Sequence, residues 1–423
     1  MSDLSRRELI KMLSAVALTP SPVPGVDPLA AWEAAAGPGF RIRTITAGTN
    51  LRNVTETQGV EAALRFLKGA KRIVTDAGYE VQTLRVSTQP FLEDTTPRAR
   101  ADALGPIQAL DRALAAENVL LSIGPALAPD GDDPDFGAWA AELAHTTHNV
   151  NFSVRIASPE RSASPKGVTA AGEAMAAIAR TTAGGIGNFR FAAAANVPAG
   201  TPFFPVAYHR GSEAVTVGLE SPPLLVAAFT GANTLPEAKQ RLTAMFESRL
   251  APLERLVRDA ARRDERGYGG IDVSPAPGKD ASIGGAIEAL TGVPFGSAST
   301  LAGCAAITDV LKSLKIKTCG YSGLMLPVLE DPVLAQRASE GRFTVRDLLL
   351  YSTVCGTGLD VVPVPGDAPA DQLAALIADV AALSTKLRKP LSARLFPVPG
   401  RKVGEVARFS DPYLTDCVVM KAE

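Results

Sequence analysis

The chain has 423 residues, 46% of them hydrophobic, and its 43 Lys and Arg against 44 Asp and Glu give a formal net charge of −1. Length and apolar content predict a folded globular protein with a large core and exclude a disordered one. The balanced charge, without a basic run interleaved with aromatics, argues against nucleic acid as a partner, and no stretch approaches the roughly 18 apolar residues of a membrane-spanning helix.

Ser5-Arg-Arg-Glu-Leu-Ile-Lys11 has the pattern of a twin-arginine export signal. The short apolar run Met12–Thr19 follows, then Pro20, Pro22 and Pro24 break any helix, and Ala30–Ala36 offers small residues for cleavage. Residues 1–38 are therefore expected to be leader and linker, and residues 39–423 a single α/β domain. That route implies a periplasmic or exported protein, with the export machinery as a partner. The alternative is an ordinary amphipathic helix at the start of a cytoplasmic chain.

Strand and helix patterns then alternate. Phe40–Thr46 alternates apolar and polar residues as a half-buried strand does, and Val60–Val74 has helical spacing. Strands are predicted at 81–86, 119–123, 150–156 and 189–193, with helices over 101–115, 135–147 and 167–180 between them. A long helix is expected over 235–263, interrupted near Pro252, and a last one over 370–386. Strands near 392–396 and 417–420 end the chain. Such alternation implies a largely parallel sheet covered by helices. Few aromatics (5%) and abundant alanine suit elements that pack closely.

Four Gly- and Pro-rich segments punctuate the second half: Asn196–His209, Gly269–Gly278, Gly320–Asp331 and Cys355–Asp367. Each leaves an apolar stretch for residues that cannot continue a helix, and each carries an ionisable or nucleophilic side chain. In this order they resemble a bacterial and archaeal family known as domain of unknown function 711, along nearly the whole chain after about residue 40. The resemblance implies a single large α/β barrel of about ten strands, similar to that of the glycyl-radical (pyruvate formate-lyase) enzymes, whose loops enter the barrel. An open doubly wound sheet is the alternative. The C-terminal segment Asp411–Lys421 lacks the radical-bearing pattern of those enzymes, so radical chemistry is not expected.

His209 ends one segment and, with a reference pKa near 6.5, could move a proton at neutral pH. Glu220 and Asp272 sit on strands whose ends converge in such folds, where they could act as acid and base or hold a divalent cation, Mg²⁺ or Ca²⁺ being the natural choices. Cys355, before two glycines, and Asp360 are expected to border the pocket. Glu330 occupies a similar position, while Asp331 before Pro332 reads as a helix cap. His145 and His148 are spaced for a metal with His209 as third ligand, or are simply polar residues at a helix end. Cys319 is the other cysteine beside glycines; Cys304 and Cys417 read as buried. Ser322, between glycines, reads as a nucleophile turn or a buried turn. The glycines of 183–189 precede a strand, the reverse of a dinucleotide fingerprint, and neither GxxxxGK[ST] nor GxSxG occurs.

These residues imply an enzyme acting on a small polar molecule by acid–base chemistry, metal-assisted if the carboxylates hold a cation. Hydrolysis, elimination and isomerisation all fit. A non-catalytic ligand- or metal-binding protein is the alternative, and a homo-oligomer is left open.

Overall fold

A computed structural model describes residues 39–55, 57–159 and 163–422; residues 1–38, where a twin-arginine leader is expected, lie outside the described residues. Five strands, β1 (Arg41–Thr49), β2 (Val81–Thr88), β3 (Val119–Pro125), β4 (Val150–Ala157) and β5 (Phe191–Ala195), lie side by side and parallel. β6 (Ala214–Glu220) pairs antiparallel with β1 and parallel with β7 (Gly267–Pro275). At the other end β9 (Leu391–Val398) pairs antiparallel with β5 and parallel with β8 (Gly358–Pro365). The nine-stranded order is β7-β6-β1-β2-β3-β4-β5-β9-β8.

The helices follow the apolar spacing that predicts them. The helix Gln58–Asp76 buries Val60, Ala63, Phe66, Leu67, Ala70 and Val74, one stripe at helical period. Alanine and glycine allow close helix contact: a Cβ on Gly172 would lie 2.5 Å from the Ala370 carbonyl oxygen of the helix Ala370–Leu387. Among the described residues, no helix is long and apolar enough to cross a membrane.

Four expectations shift. The predicted helix over 101–115 is two, Pro97–Asp102 and Leu104–Ala115. Pro252 does not interrupt the helix Leu235–Arg263, because buried residues on both sides, Phe246 and Leu250 before it and Leu253 and Val257 after, hold it against the core. The strand expected from 189 begins at Phe191, since Ala183–Arg190 winds a 3₁₀ turn with Gly184 and Gly185 at φ 60° and 76°. The last predicted strand shrinks to Cys417–Val418, paired with Val406–Ala407 outside the main sheet.

In a flat sheet β1 and β9 would stand five strand spacings apart, about 24 Å. Yet Arg43 of β1 and Arg394 of β9 bond the same carboxylate, Glu330, so the sheet curls until its ends approach. The strands form no closed ladder. Edge strands β7 and β8 are joined instead through residues 317–329, which make isolated parallel bridges, Thr318 to Ile271 and Pro327 to Asp360.

The four Gly- and Pro-rich segments meet at this join. Residues 196–209 form no strand; they lie on the inner face of the sheet, where Thr46 Oγ1 and Arg85 Nη1 both donate to the Pro202 carbonyl. The Asp272 carboxylate on β7 accepts from Ser274 N (3.1 Å) and Oγ (2.6 Å), Tyr321 N (2.8 Å) and Ser322 N (2.9 Å). It thereby pins a turn in which Gly320 and Ser322 have φ 60° and 40°. Next in line, a Cβ on Gly356 would lie 2.6 Å from Gly323 Cα. Asp331 caps two helices, accepting from Val333 N and Leu334 N of one and Ile283 N and Gly284 N of the other.

Two stability predictions follow from this join. Asp272→Asn presents an amide NH₂ to backbone donors and should cost about 1–3 kcal/mol in urea unfolding. A variant as stable as the parent would refute the pinning role. Gly356→Ala should cost a comparable ~1–3 kcal/mol, read from the same midpoints, because neither backbone can yield.

Candidate functional site

The inner face of the curled sheet carries a row of alternating charges. Arg43 is the extra residue of a bulge between Ile42 and Thr44 in the β1–β6 ladder, a device that re-aims side chains. Its guanidinium donates to Glu220 Oε2 and to Glu330 Oε2, both at 3.1 Å. Glu220 also accepts from Arg41 Nη1 (2.8 Å) and Gln82 Nε2 (2.9 Å). Glu330 then bonds Arg394, whose Nε donates to Asp360 Oδ1 at 2.8 Å. The row thus reads Arg41, Glu220, Arg43, Glu330, Arg394, Asp360, and every member after Arg41 is buried. Mutual pairing makes this burial tolerable; a single unpaired member would cost several kcal/mol.

Asp360 is where the row ends and an opening begins. Both its bonds from Arg394 fall on Oδ1, and Oδ2 accepts none among the described residues. Burial pushes its carboxyl above the ordinary range; Arg394 opposes this and the negative charge of Glu330 reinforces it. A narrow cavity of about 30 Å³, room for one water-sized group, touches Asp360, Glu330, Arg394, Arg43 and Tyr321. Tyr321 Oη donates to Ser392 Oγ at 2.8 Å on its wall.

A second cavity, of about 550 Å³, shares Arg43 and Phe204 with the first. It lies by the starts of β2, β3 and β4, where Thr83, Leu120 and Asn151 form its wall, and Tyr413 and Phe189 add aromatic surface. That volume suits a small organic ligand. The aromatics also carry the arginines: Arg43 Cζ is 4.7 Å from the Tyr413 ring centre, and Arg394 Cζ is 5.1 Å from Phe189 and 5.3 Å from Phe204.

Of the residues singled out in the sequence, three fall in this row: Glu220 next to Arg41, Glu330 between the two buried arginines, and Asp360 at its end. Asp272 is given over to the turn described above. His209 is elsewhere: its ring sits where a Gly48 side chain would be, and its backbone N–H bonds Thr88, at the far ends of β1 and β2. Glu220 pairs with Arg41, so His209 and Glu220 stand some seven residues apart along β1, about 23 Å. Burial lowers the His209 pKa. The His145 and His148 side chains line the wide cavity, away from His209.

Cys355 is buried, with its thiol against that of Cys304, whose pKa this contact and burial push up. Burial likewise raises Cys319, with Asp272 adding to it. Ser322 donates to the Cys319 carbonyl at 2.7 Å, as a buried turn does. Every oxygen of Glu220 and Asp272 is already engaged by Arg, Gln, Ser or backbone donors, so a cation would have to displace them. Among the described residues, no three His, Cys, Asp or Glu side chains are grouped to hold a metal ion.

Sequence reasoning overlooked Arg43, Arg394 and Phe204. The available signal was arginine at polar positions of otherwise apolar strands, in Arg41-Ile-Arg43 and Leu391-Ser-Ala-Arg394.

The family model described as Uncharacterised ACR (DUF711) matches residues 37–410. A UPF0210 protein of Pyrobaculum islandicum is 32% identical over 383 residues, 85% of this chain and 83% of the relative. A UPF0210 protein of Pelobacter propionicus is 30% identical over 401 residues, 87% of each chain. The matched span contains all nine strands of the sheet and every member of the buried row, and the chain belongs to the Uncharacterised ACR (DUF711) family.

Proposed function

We propose that this chain is an enzyme that moves protons on a small polar molecule held at the inner face of the sheet, with Asp360 as the acid–base group. The observation that carries this reading is the state of Asp360: one oxygen bonded by Arg394, the other unengaged, in a buried setting that favours its protonated form. In its protonated form, which burial favours, Asp360 donates its proton to a substrate atom that gains electron density. The carboxylate left behind is one that Arg394 already bonds, and it regains a proton as the substrate gives one up. That cycle fits isomerisation or elimination, and hydrolysis when water is the second reactant. The wide cavity is a space large enough for a small polar molecule on the same face, separated from the narrow one by Arg43 and Phe204, which line both. Export through the Ser5–Lys11 signal would place this chemistry outside the cytoplasm.

A receptor that captures its ligand without turnover is the second reading, favoured by how fully the charges of the row pair with one another. It predicts ligand retention and no proton exchange.

The test is proton NMR of a bacterial small-molecule extract in D₂O with the purified chain. Loss or conversion of at least one C–H signal is expected, slowed about 100-fold or more in Asp360→Asn. An unchanged extract, or an equally fast variant, would overturn the enzymatic reading.

A further inference from the structure

The row described above does not include every buried arginine on the inner face. Arg85 projects from β2, directly opposite Leu120 of β3, and is 0% exposed. Its Nη1 donates to the Pro202 carbonyl, but its Nε and Nη2 make no hydrogen bond among the described residues. No carboxylate pairs with it among the described residues, and its charged neighbour is Arg43, a like charge. Burial first and Arg43 second push its pKa down to about 9. A buried, unpaired guanidinium is costly unless its free N–H groups find a partner, whether an ordered water or a bound ligand.

The pattern of engagement narrows what that is. Nε–H and the Nη2–H beside it lie along one edge of the planar guanidinium and point the same way. This is the edge that accepts the two oxygens of a carboxylate in parallel, while Nη1 at the far corner is already used. The surroundings are polar and also unengaged. Ser122 and Ser153, two residues along β3 and β4 from the cavity-lining Leu120 and Asn151, are fully buried with hydroxyls that bond no group among the described residues. Thr83, two residues before Arg85 on the same face, and Leu120 both line the wide cavity, and Arg85, Ser122 and Ser153 stand behind that wall, lining neither cavity themselves. Phe204, whose ring centre is 5.1 Å from Arg85 Cζ, lines both cavities.

We propose that the molecule taken up by this site carries a carboxylate, received side-on by Arg85 Nε and Nη2, with the Ser122 and Ser153 hydroxyls available to its polar substituents. The proposal rests on the reading that the inner face is the working site, and it adds the substrate class. Asp360 and Arg85 then divide the labour: Arg85 fixes the end of the molecule that does not react, and Asp360 moves the proton at the end that does.

The test is thermal denaturation and calorimetric titration of the whole chain with acetate, malonate, glutarate, benzoate and inorganic phosphate, at constant ionic strength set by chloride. At least one carboxylate should raise the melting temperature in a concentration-dependent way. Arg85→Met, which removes the unpaired charge, should fold at least as stably without ligand and lose roughly tenfold or more of that affinity. Arg85→Lys should lose most of it too, since a point charge cannot replace the two-pronged edge. Asp360→Asn should retain the carboxylate response, so a failure of the acid–base reading is seen separately. A response to phosphate alone, an undiminished response in Arg85→Met, or none to any carboxylate would overturn the proposal.

Discussion

The structure depends on one constraint: charges buried on the inner face must be neutralised by partners that the folded sheet alone brings together. Glu330 is the pivot. It lies in the segment that joins the two edge strands, and it bonds an arginine from β1 and another from β9. Those strands are distant in the sheet order, so the pairing forms only when the sheet has curled. The unpaired alternative is several kcal/mol worse for each buried charge, which makes the row a strong selector of this one geometry. The same constraint leaves Asp360 at the end of the row with one arginine where Glu330 has two. A terminal carboxyl with a spare oxygen is therefore a consequence of how the fold is held.

The Gly- and Pro-rich segments serve that geometry more than they serve chemistry. Gly320 and Ser322 turn sharply under Asp272, and Gly323 meets Gly356 backbone to backbone. Residues 196–209 fill the inner face and bring Phe204 between the arginines. Beside Asp360 they leave one narrow space, with a wide one beyond it and Arg85 behind the shared wall; another of about 500 Å³ opens at the far strand ends beside Tyr208 and Arg155.

The alternation of strand and helix was legible because burial on two faces imposes it, and the helix stripe at 60–74 and the strand carrying Asp272 could be read directly, but not that its carboxylate pins a turn. The site was legible only in its carboxylates. Glu220, Glu330 and Asp360 were visible at or near element boundaries, but Arg43 and Arg394 looked like the solvent side of ordinary strands. Alternation reports that two environments exist; it does not say that the polar one is enclosed. His209 shows the converse error: a histidine in a Pro-rich segment has the right chemistry, yet chain position cannot tell which end of β1 it will reach. Cys355 follows the same lesson, since its neighbouring glycines suggested access while the fold turns its thiol toward Cys304.

The most direct test of this account is the titration of the Asp360 side-chain carbon by NMR in protein labelled at aspartate, assigned with Asp360→Asn. Burial and Glu330 raise the folded pKa, so the proton should be retained as pH rises past the ordinary carboxylate value of about 4, and be lost only above it. A midpoint at or below that value would mean that Arg394 dominates, that Asp360 is a permanent anion, and that the row is structural and not a proton-transfer site.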